Sequence, residues 1–185
     1  TSYRFWLVTI AISSNAIFYW GWSIWLPTYL KGERHFTFST SGYLTFVIFG
    51  FAVVTILCVG YLSDKIFRRA PLAGLGWALA AVFLMGAALA PGAAASVVLM
   101  ICALCAQQVG ISCGEMLMHS VVGTEDMGKT QGVRAFITQM FGALSPAMIG
   151  YLVAFTGGFT GAFAVLAVAV VISAGCMIAL AREGL

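Results

Sequence analysis

Residues 159–181 read FTGAFAVLAVAVVISAGCMIALA, a run without a single charged side chain. At ~1.5 Å of rise per residue, a helix of this length spans the ~30 Å hydrocarbon core of a bilayer. The run does not alternate polar and apolar residues, and a backbone in hydrocarbon has to satisfy its hydrogen bonds within the segment. These residues therefore predict a transmembrane helix.

Five more apolar runs precede this one, each bounded by charged residues or by glycine and proline. The chain of 185 residues is 62% hydrophobic and 8% charged, which leaves too little polar surface to coat a water-soluble globule. The predicted fold class is an all-α membrane protein with six transmembrane helices in one unit. The predicted helices are residues 5–30, 42–62, 71–90, 97–122, 130–155 and 159–181.

Basic residues predict how the helices are oriented, because Lys and Arg concentrate on the cytoplasmic side of short-looped membrane proteins. If the chain begins inside, two basic residues, Lys31 and Arg34, lie at the outer face and all the others at the inner one. We therefore expect a multi-pass protein of the cell (inner) membrane with both termini in the cytoplasm. The inner basic residues are Arg4, Lys65, Arg68, Arg69, Lys129, Arg134 and Arg182.

The five cysteines all lie in apolar runs, where cysteine behaves as a small hydrophobe. Cys102 and Cys105 form a CxxC pair, but no second pair of ligands accompanies them. The basic residues are dispersed rather than clustered in a patch. The sequence accordingly predicts no metal site, no cofactor and no nucleic-acid partner.

Polar side chains are distributed unequally over the six predicted helices. The third has none except the Trp77 indole and the sixth has only Thr160 and Ser173, so we expect these two helices to face lipid. The first, fourth and fifth carry groups that are costly to expose to hydrocarbon, and they predict a cavity or an interface. These groups are Asn15, Gln107, Gln108, Ser112, Glu115, His119, Gln131, Arg134, Thr138 and Gln139.

The amides on these three helices share one depth in the membrane. Asn15, Gln107, Gln108 and Gln139 each lie about 14–16 Å along their helix from one of its ends, near the middle of the bilayer. Together with Tyr19, one turn beyond Asn15, they are the predicted substrate-binding residues. The alternative for each amide is an interhelical hydrogen bond that only packs the bundle, worth ~0.6 kcal/mol on average.

The loop between the second and third helices reads GYLSDKIFRR at residues 60–69. It resembles the loop motif of the major facilitator superfamily, G-x-x-x-D-[RK]-x-G-[RK]-[RK], with Phe67 in place of the last glycine. The resemblance covers essentially the whole chain and implies one six-helix half of a transporter, built from two inverted three-helix repeats. The matching residues are Gly60, Asp64, Lys65, Arg68 and Arg69.

Two further stretches resemble the carboxyl-terminal half of the organic-anion:cation symporter branch of that family. Residues 25–30, WLPTYL, are similar to the outer end of its seventh helix, and residues 142–152 resemble its eleventh. A polar residue six positions before the Ser-Pro pair of that helix contacts substrate, which implies this role for Gln139. The implied function is proton-coupled symport of a small organic anion, such as a sugar acid, by alternating access. The implied partners are that substrate, a proton, the lipid bilayer and an amino-terminal half of the same transporter.

Glu115 and Arg134 are ionisable residues inside predicted helices, and both lie toward the cytoplasmic side. We predict that they form a cytoplasmic gate with the 60–69 loop, closed in the outward-open state; a static ion pair is the alternative. No charged residue lies at mid-depth, so the main charge partner of an anion and the main proton carrier are expected on the other half. The predicted gate residues are Gly60, Asp64, Lys65, Arg68, Arg69, Glu115 and Arg134.

Two other classes of function fit parts of the sequence. Residues 110–114, GISCG, match the G-x-S-x-G motif of serine hydrolases. That motif requires a strand-to-helix turn, and His119 lies ~10 Å along the same helix from Ser112. An intramembrane protease is therefore a remote alternative. A self-contained six-helix channel or carrier that works as a homo-oligomer is the other one.

Overall fold

The computed structural model describes residues 3–63, 69–122 and 127–183. Six helices account for nearly all of these residues, and each is long and apolar enough to cross a membrane. The predicted all-α membrane fold is confirmed. The helices are α1 Tyr3–Gly32, α2 Phe38–Ser63, α3 Arg69–Leu89, α4 Ala93–Val121, α5 Met127–Thr156 and α6 Thr160–Arg182.

The starts of α2 and α4 differ most from the predicted bounds. Helix α2 begins at Phe38 because the hydroxyl of Thr37 accepts a hydrogen bond from the N–H of Thr40, at 3.2 Å, which caps the first turn. Helix α4 begins directly after Gly92, at Ala93. Polar or small residues at these ends extend each helix beyond the apolar run that predicts it.

The contacts made by the first three helices, α1–α3, match those made by the last three, α4–α6. Helix α1 packs mainly on α5 and α6, and α4 packs mainly on α2 and α3, while α3 and α6 contact each other. If α1 is exchanged with α4, α2 with α5 and α3 with α6, the same main contacts are obtained. Each set contains three membrane-crossing helices, an odd number. The second set, α4–α6, therefore runs opposite to the first, α1–α3, as inverted repeats require.

The backbones of α3 and α4 approach each other closely at Gly76. A methyl group on Gly76 would lie 2.8 Å from both the carbonyl oxygen of Ala106 and the backbone nitrogen of Gly110. The neighbouring Trp77 indole is fully buried and lies against Gly110 and Gly114. Small residues let membrane helices approach in this way, so the glycines of α4 serve the packing of α3.

Exposure differs between the helices in a way the sequence predicts only in part. Within their most apolar windows, α3 is 44% buried and α6 is 50% buried, so only their outer faces are available to lipid. In α2 and α5 the corresponding figure is 17% for each helix. The sequence does not predict this exposure of α2, because polar side chains such as Thr45 and Thr55 bond carbonyls of their own helix and mark no single face.

One end of the bundle is held together by Glu33 and Arg34, which follow α1. The Arg34 guanidinium donates to the carbonyl oxygens of Ala87 and Ala90, at 2.7 and 2.8 Å, at the end of α3. The Glu33 carboxylate accepts from the N–H of Phe159, at 3.0 Å, at the start of α6. A cation at a helix C-terminus and an anion at an N-terminus each stabilise the helix dipole. These adjacent charges therefore tie α1 to both α3 and α6.

We expect Gly76→Ala to destabilise the bundle, because the added methyl group forces two backbones apart at a cost of about 1–3 kcal/mol. Gly175→Ala, on α6, is the matched control, since a methyl group there meets no atom within 4 Å. Thermal unfolding of the detergent-solubilised protein measures both variants. Equal melting temperatures for the two would contradict the close α3–α4 contact.

Candidate substrate cavity

A cavity of about 260 Å³ opens mainly between α1 and α4, and α2 and α5 each contribute one side chain to it. We call it the amide cavity. The predicted contributions of the first, fourth and fifth helices are present, and Ile56 of α2 adds a wall that the sequence did not indicate. Its polar and aromatic lining consists of Asn15, Tyr19, Trp20, Gln107, Gln108, Glu115 and Thr138.

Asn15 and Gln107 join the two main walls of the amide cavity. The Nε2 atom of Gln107 donates to Oδ1 of Asn15 at 3.1 Å, and both side chains are almost fully buried. Within the described part of the chain, Oε1 of Gln107 is buried without a hydrogen-bond partner. Leaving a buried acceptor unpaired costs about 1–3 kcal/mol.

Of the other predicted binding residues, Tyr19 and Gln108 line the amide cavity and Gln139 does not. Gln139 is exposed and lines a separate pocket of about 250 Å³, which we call the side pocket. Thr138, one residue earlier and about 100° around α5, faces the amide cavity instead, and its hydroxyl lies 3.1 Å from that of Ser13. The position of a residue along a helix predicts its depth in the membrane but not the direction in which its side chain points. The role of Gln139 therefore stays a prediction.

Glu115 and Arg134 form an ion pair between α4 and α5. The Nη1 atom of Arg134 lies 2.7 Å from Oε1 of Glu115, and its Nε donates to Oε1 of Gln131, also at 2.7 Å. The Arg134 side chain is 14% exposed and the Glu115 side chain 37%. Glu115 also lines the amide cavity, so this carboxylate connects the ion pair to the cavity.

The remaining gate residues are placed only in part. Gly60 lines a groove of about 340 Å³ between α2 and α4, together with Ser112, Glu115 and His119. Arg69 begins α3, and its Nε is buried without a hydrogen-bond partner among the described residues. Asp64, Lys65 and Arg68 lie outside the described residues.

The G-x-S-x-G stretch at residues 110–114 lies in the middle of the continuous helix α4. It therefore lacks the strand-to-helix turn that exposes the serine in hydrolases. Ser112 and His119 line the same groove, but they are two helical turns apart. The glycines of the stretch contact Trp77, which explains them by packing rather than by catalysis.

Comparison with known proteins agrees with this architecture. Residues 8–183 match the Major Facilitator Superfamily. A phosphoglycerate transporter protein of Salmonella typhimurium strain LT2 is 30% identical over 141 residues, which cover 74% of this chain and 30% of that protein. The chain thus matches well under half the length of this curated relative. Since the family match spans nearly the whole chain and all six membrane-length helices, the chain belongs to the major facilitator superfamily of membrane transporters.

Proposed function

We propose that this chain is the carboxyl-terminal six-helix half of a secondary active transporter for a small organic anion in the cell membrane. The observation that carries the proposal is the amide cavity, where Asn15, Gln107 and Gln108 meet between α1 and α4, the first helices of the two three-helix sets. Transporters built from such repeats bind substrate near the bilayer midplane, at the repeat interface. Polar side chains at this depth are costly and are usually retained for function.

The exposed faces of α2 and α5 support an amino-terminal six-helix half as the partner. Large apolar side chains such as Phe46 on α2 and Phe136 and Leu144 on α5 are exposed, and both helices border the amide cavity. Lipid would suit these side chains, but Gln139 is exposed one turn from Phe136, and an amide in hydrocarbon is costly. A protein partner that completes the cavity would cover the apolar side chains and also keep the Gln139 amide out of hydrocarbon.

The lining of the amide cavity supports a substrate that is bound here through neutral hydrogen bonds. Amides, hydroxyls and aromatic rings make up most of its polar and aromatic lining. The one carboxylate of this lining, Glu115, is already paired with Arg134. Such groups suit the hydroxyl and carbonyl oxygens of a sugar acid or another carboxylate. The charge of the anion is then neutralised mainly by a basic residue of the other half. The relative named for phosphoglycerate supports an organic anion as the substrate.

Coupling to protons and opening of the cytoplasmic side complete the proposed mechanism. The main proton-carrying carboxylate belongs to the other half, while Glu115 and His119 are secondary candidates because they line the groove beside α2. The pair Glu115–Arg134, together with the 60–69 loop, acts as a gate that holds the cytoplasmic side closed in the outward-open state. The two halves rock about the substrate to alternate access.

Uptake by the full-length protein in proteoliposomes tests the proposal, with a panel of organic anions and with or without an inward proton gradient. We expect uptake of at least one anion, stimulated by the gradient. Asn15→Leu and Gln107→Leu should each lower it about tenfold, which corresponds to a loss of ~1.4 kcal/mol of binding.

Ser173→Ala is the control for these leucine variants, because Ser173 donates a buried hydrogen bond of 2.7 Å to the carbonyl of Ala11 and does not line the amide cavity. Its uptake should stay within about twofold of the wild type, because interhelical hydrogen bonds in membranes are worth only ~0.6 kcal/mol on average. Unchanged uptake by folded Asn15→Leu and Gln107→Leu proteins would show that the amides only pack the bundle. A gradient without effect would contradict proton coupling.

The gate is tested by Glu115→Gln, which keeps the shape of the side chain and removes its charge. We expect slower transport and faster labelling of a cysteine introduced on the cytoplasmic side of the cavity, because the ion pair no longer holds that side closed. Arg4→Met is the control, since it breaks an exposed ion pair of 2.9 Å with Glu183, and exposed pairs are worth only ~0–1 kcal/mol. If Glu115→Gln changed neither transport nor labelling, the pair would be static.

A further inference from the structure

We infer that Trp20 limits the size of the substrate by separating the amide cavity from the side pocket that holds Gln139. The inference rests on the proposed function, since it assigns a residue that selects the substrate of the same site. Of the residues described around these two spaces, Trp20 alone lines both. The residue is 39% exposed and lies outside the buried core, so we take the indole as a wall between the two spaces.

The position of this wall depends on a glycine of α5. A methyl group on Gly142 would overlap Cδ1 of the Trp20 indole and would lie 2.9 Å from its Nε1. The indole also packs edge-to-face against Tyr19, with ring centroids 5.7 Å apart. The indole is therefore seated on bare backbone at Gly142, and any side chain at that position would displace it.

The volumes of the two spaces explain why the Trp20 indole would affect the size of the substrate. Within this half, the amide cavity measures about 260 Å³ and the side pocket about 250 Å³, so loss of the indole would about double the space on this side of the site. Without the indole, the Gln139 amide would share one space with Asn15 and Gln107. Trp20 thus reserves the amide cavity for short substrates and keeps Gln139 from contacting them.

A second tryptophan on α1 offers a matched comparison. Trp25 is seated on Gly150 of α5, where an added methyl group would lie 2.8 Å from its ring, and its Nε1 donates to the carbonyl of Pro146 at 2.9 Å. This contact joins the same two helices in the same manner as Trp20 and Gly142. Trp25 lines neither the amide cavity nor the side pocket. Removing Trp25 therefore weakens the α1–α5 contact without changing the lining of either space.

The test is uptake of 3-phosphoglycerate and of the longer 6-phosphogluconate by the full-length protein in proteoliposomes. Both probes carry a carboxylate at one end and a phosphate at the other, and 6-phosphogluconate is longer by three CHOH units. We expect Trp20→Ala to raise the ratio of 6-phosphogluconate to 3-phosphoglycerate uptake at least about tenfold, and Trp20→Phe to raise it less. Trp25→Ala should leave the ratio unchanged.

A second pair of variants tests the seat of the indole, should Trp20→Ala fold poorly. Gly142→Ala should lower 3-phosphoglycerate uptake about tenfold, because it displaces the indole toward the amide cavity. The same substitution should have little further effect when combined with Trp20→Phe, whose smaller ring has room to move. Equal effects of Gly142→Ala in the wild type and in Trp20→Phe would overturn the inference.

Two further results would also overturn the inference, and they differ in what they say of the proposed function. A wild type that takes up 3-phosphoglycerate, with the same probe ratio in Trp20→Ala, would remove the role of Trp20 and leave the anion transporter intact. A wild type that takes up no anion of the wider panel would contradict the proposed function, and the role of Trp20 would fall with it.

Discussion

A polar atom in hydrocarbon has no water to bond, and most of the specific contacts in this structure answer that constraint. The Arg134 guanidinium is satisfied by Glu115 and Gln131, and the Ser173 hydroxyl by the carbonyl of Ala11. Asn15 and Gln107 satisfy each other in part across α1 and α4. Among the described residues, the Oε1 acceptor of Gln107 at this pair has no protein partner.

Contacts between tryptophan and glycine supply the rigid frame around that cavity. Trp77 packs on α4 at Gly110, and Trp20 and Trp25 of α1 pack on glycines of α5. In a bilayer, where apolar side chains gain little by leaving lipid, such close van der Waals contacts are a main source of helix association. They hold α3 against α4 and α1 against α5, so the amide cavity between α1 and α4 is walled by two well-packed pairs.

The sequence predicts the six helices well, because uninterrupted apolar runs of membrane length admit few other structures. It also predicts the shared height of Asn15 and Gln107, since rise per residue is constant along a helix. It predicts rotation poorly: Thr138, not Gln139, faces the amide cavity, and Ile56 of α2 completes it. Helix α2 is apolar on most faces, so no polar stripe indicates which way it turns. On α5, Gln131, Arg134 and Thr138 follow helical steps of three and four, and Gln139 is turned about 100° away from this stripe. The capping roles of Glu33 and Arg34 depend on helix ends distant in sequence, which no local pattern reveals.

The central claim is that the amide cavity is one side of a substrate site completed by a second, different six-helix half. Electron cryomicroscopy of the full-length protein in lipid nanodiscs with a transported anion tests it most directly. The account predicts an amino-terminal six-helix half packed on α2 and α5, with the anion within hydrogen-bond distance of Asn15, Gln107 or Gln108. Annular lipid on both helices, a second copy of this chain in that place, or an anion bound elsewhere would contradict it.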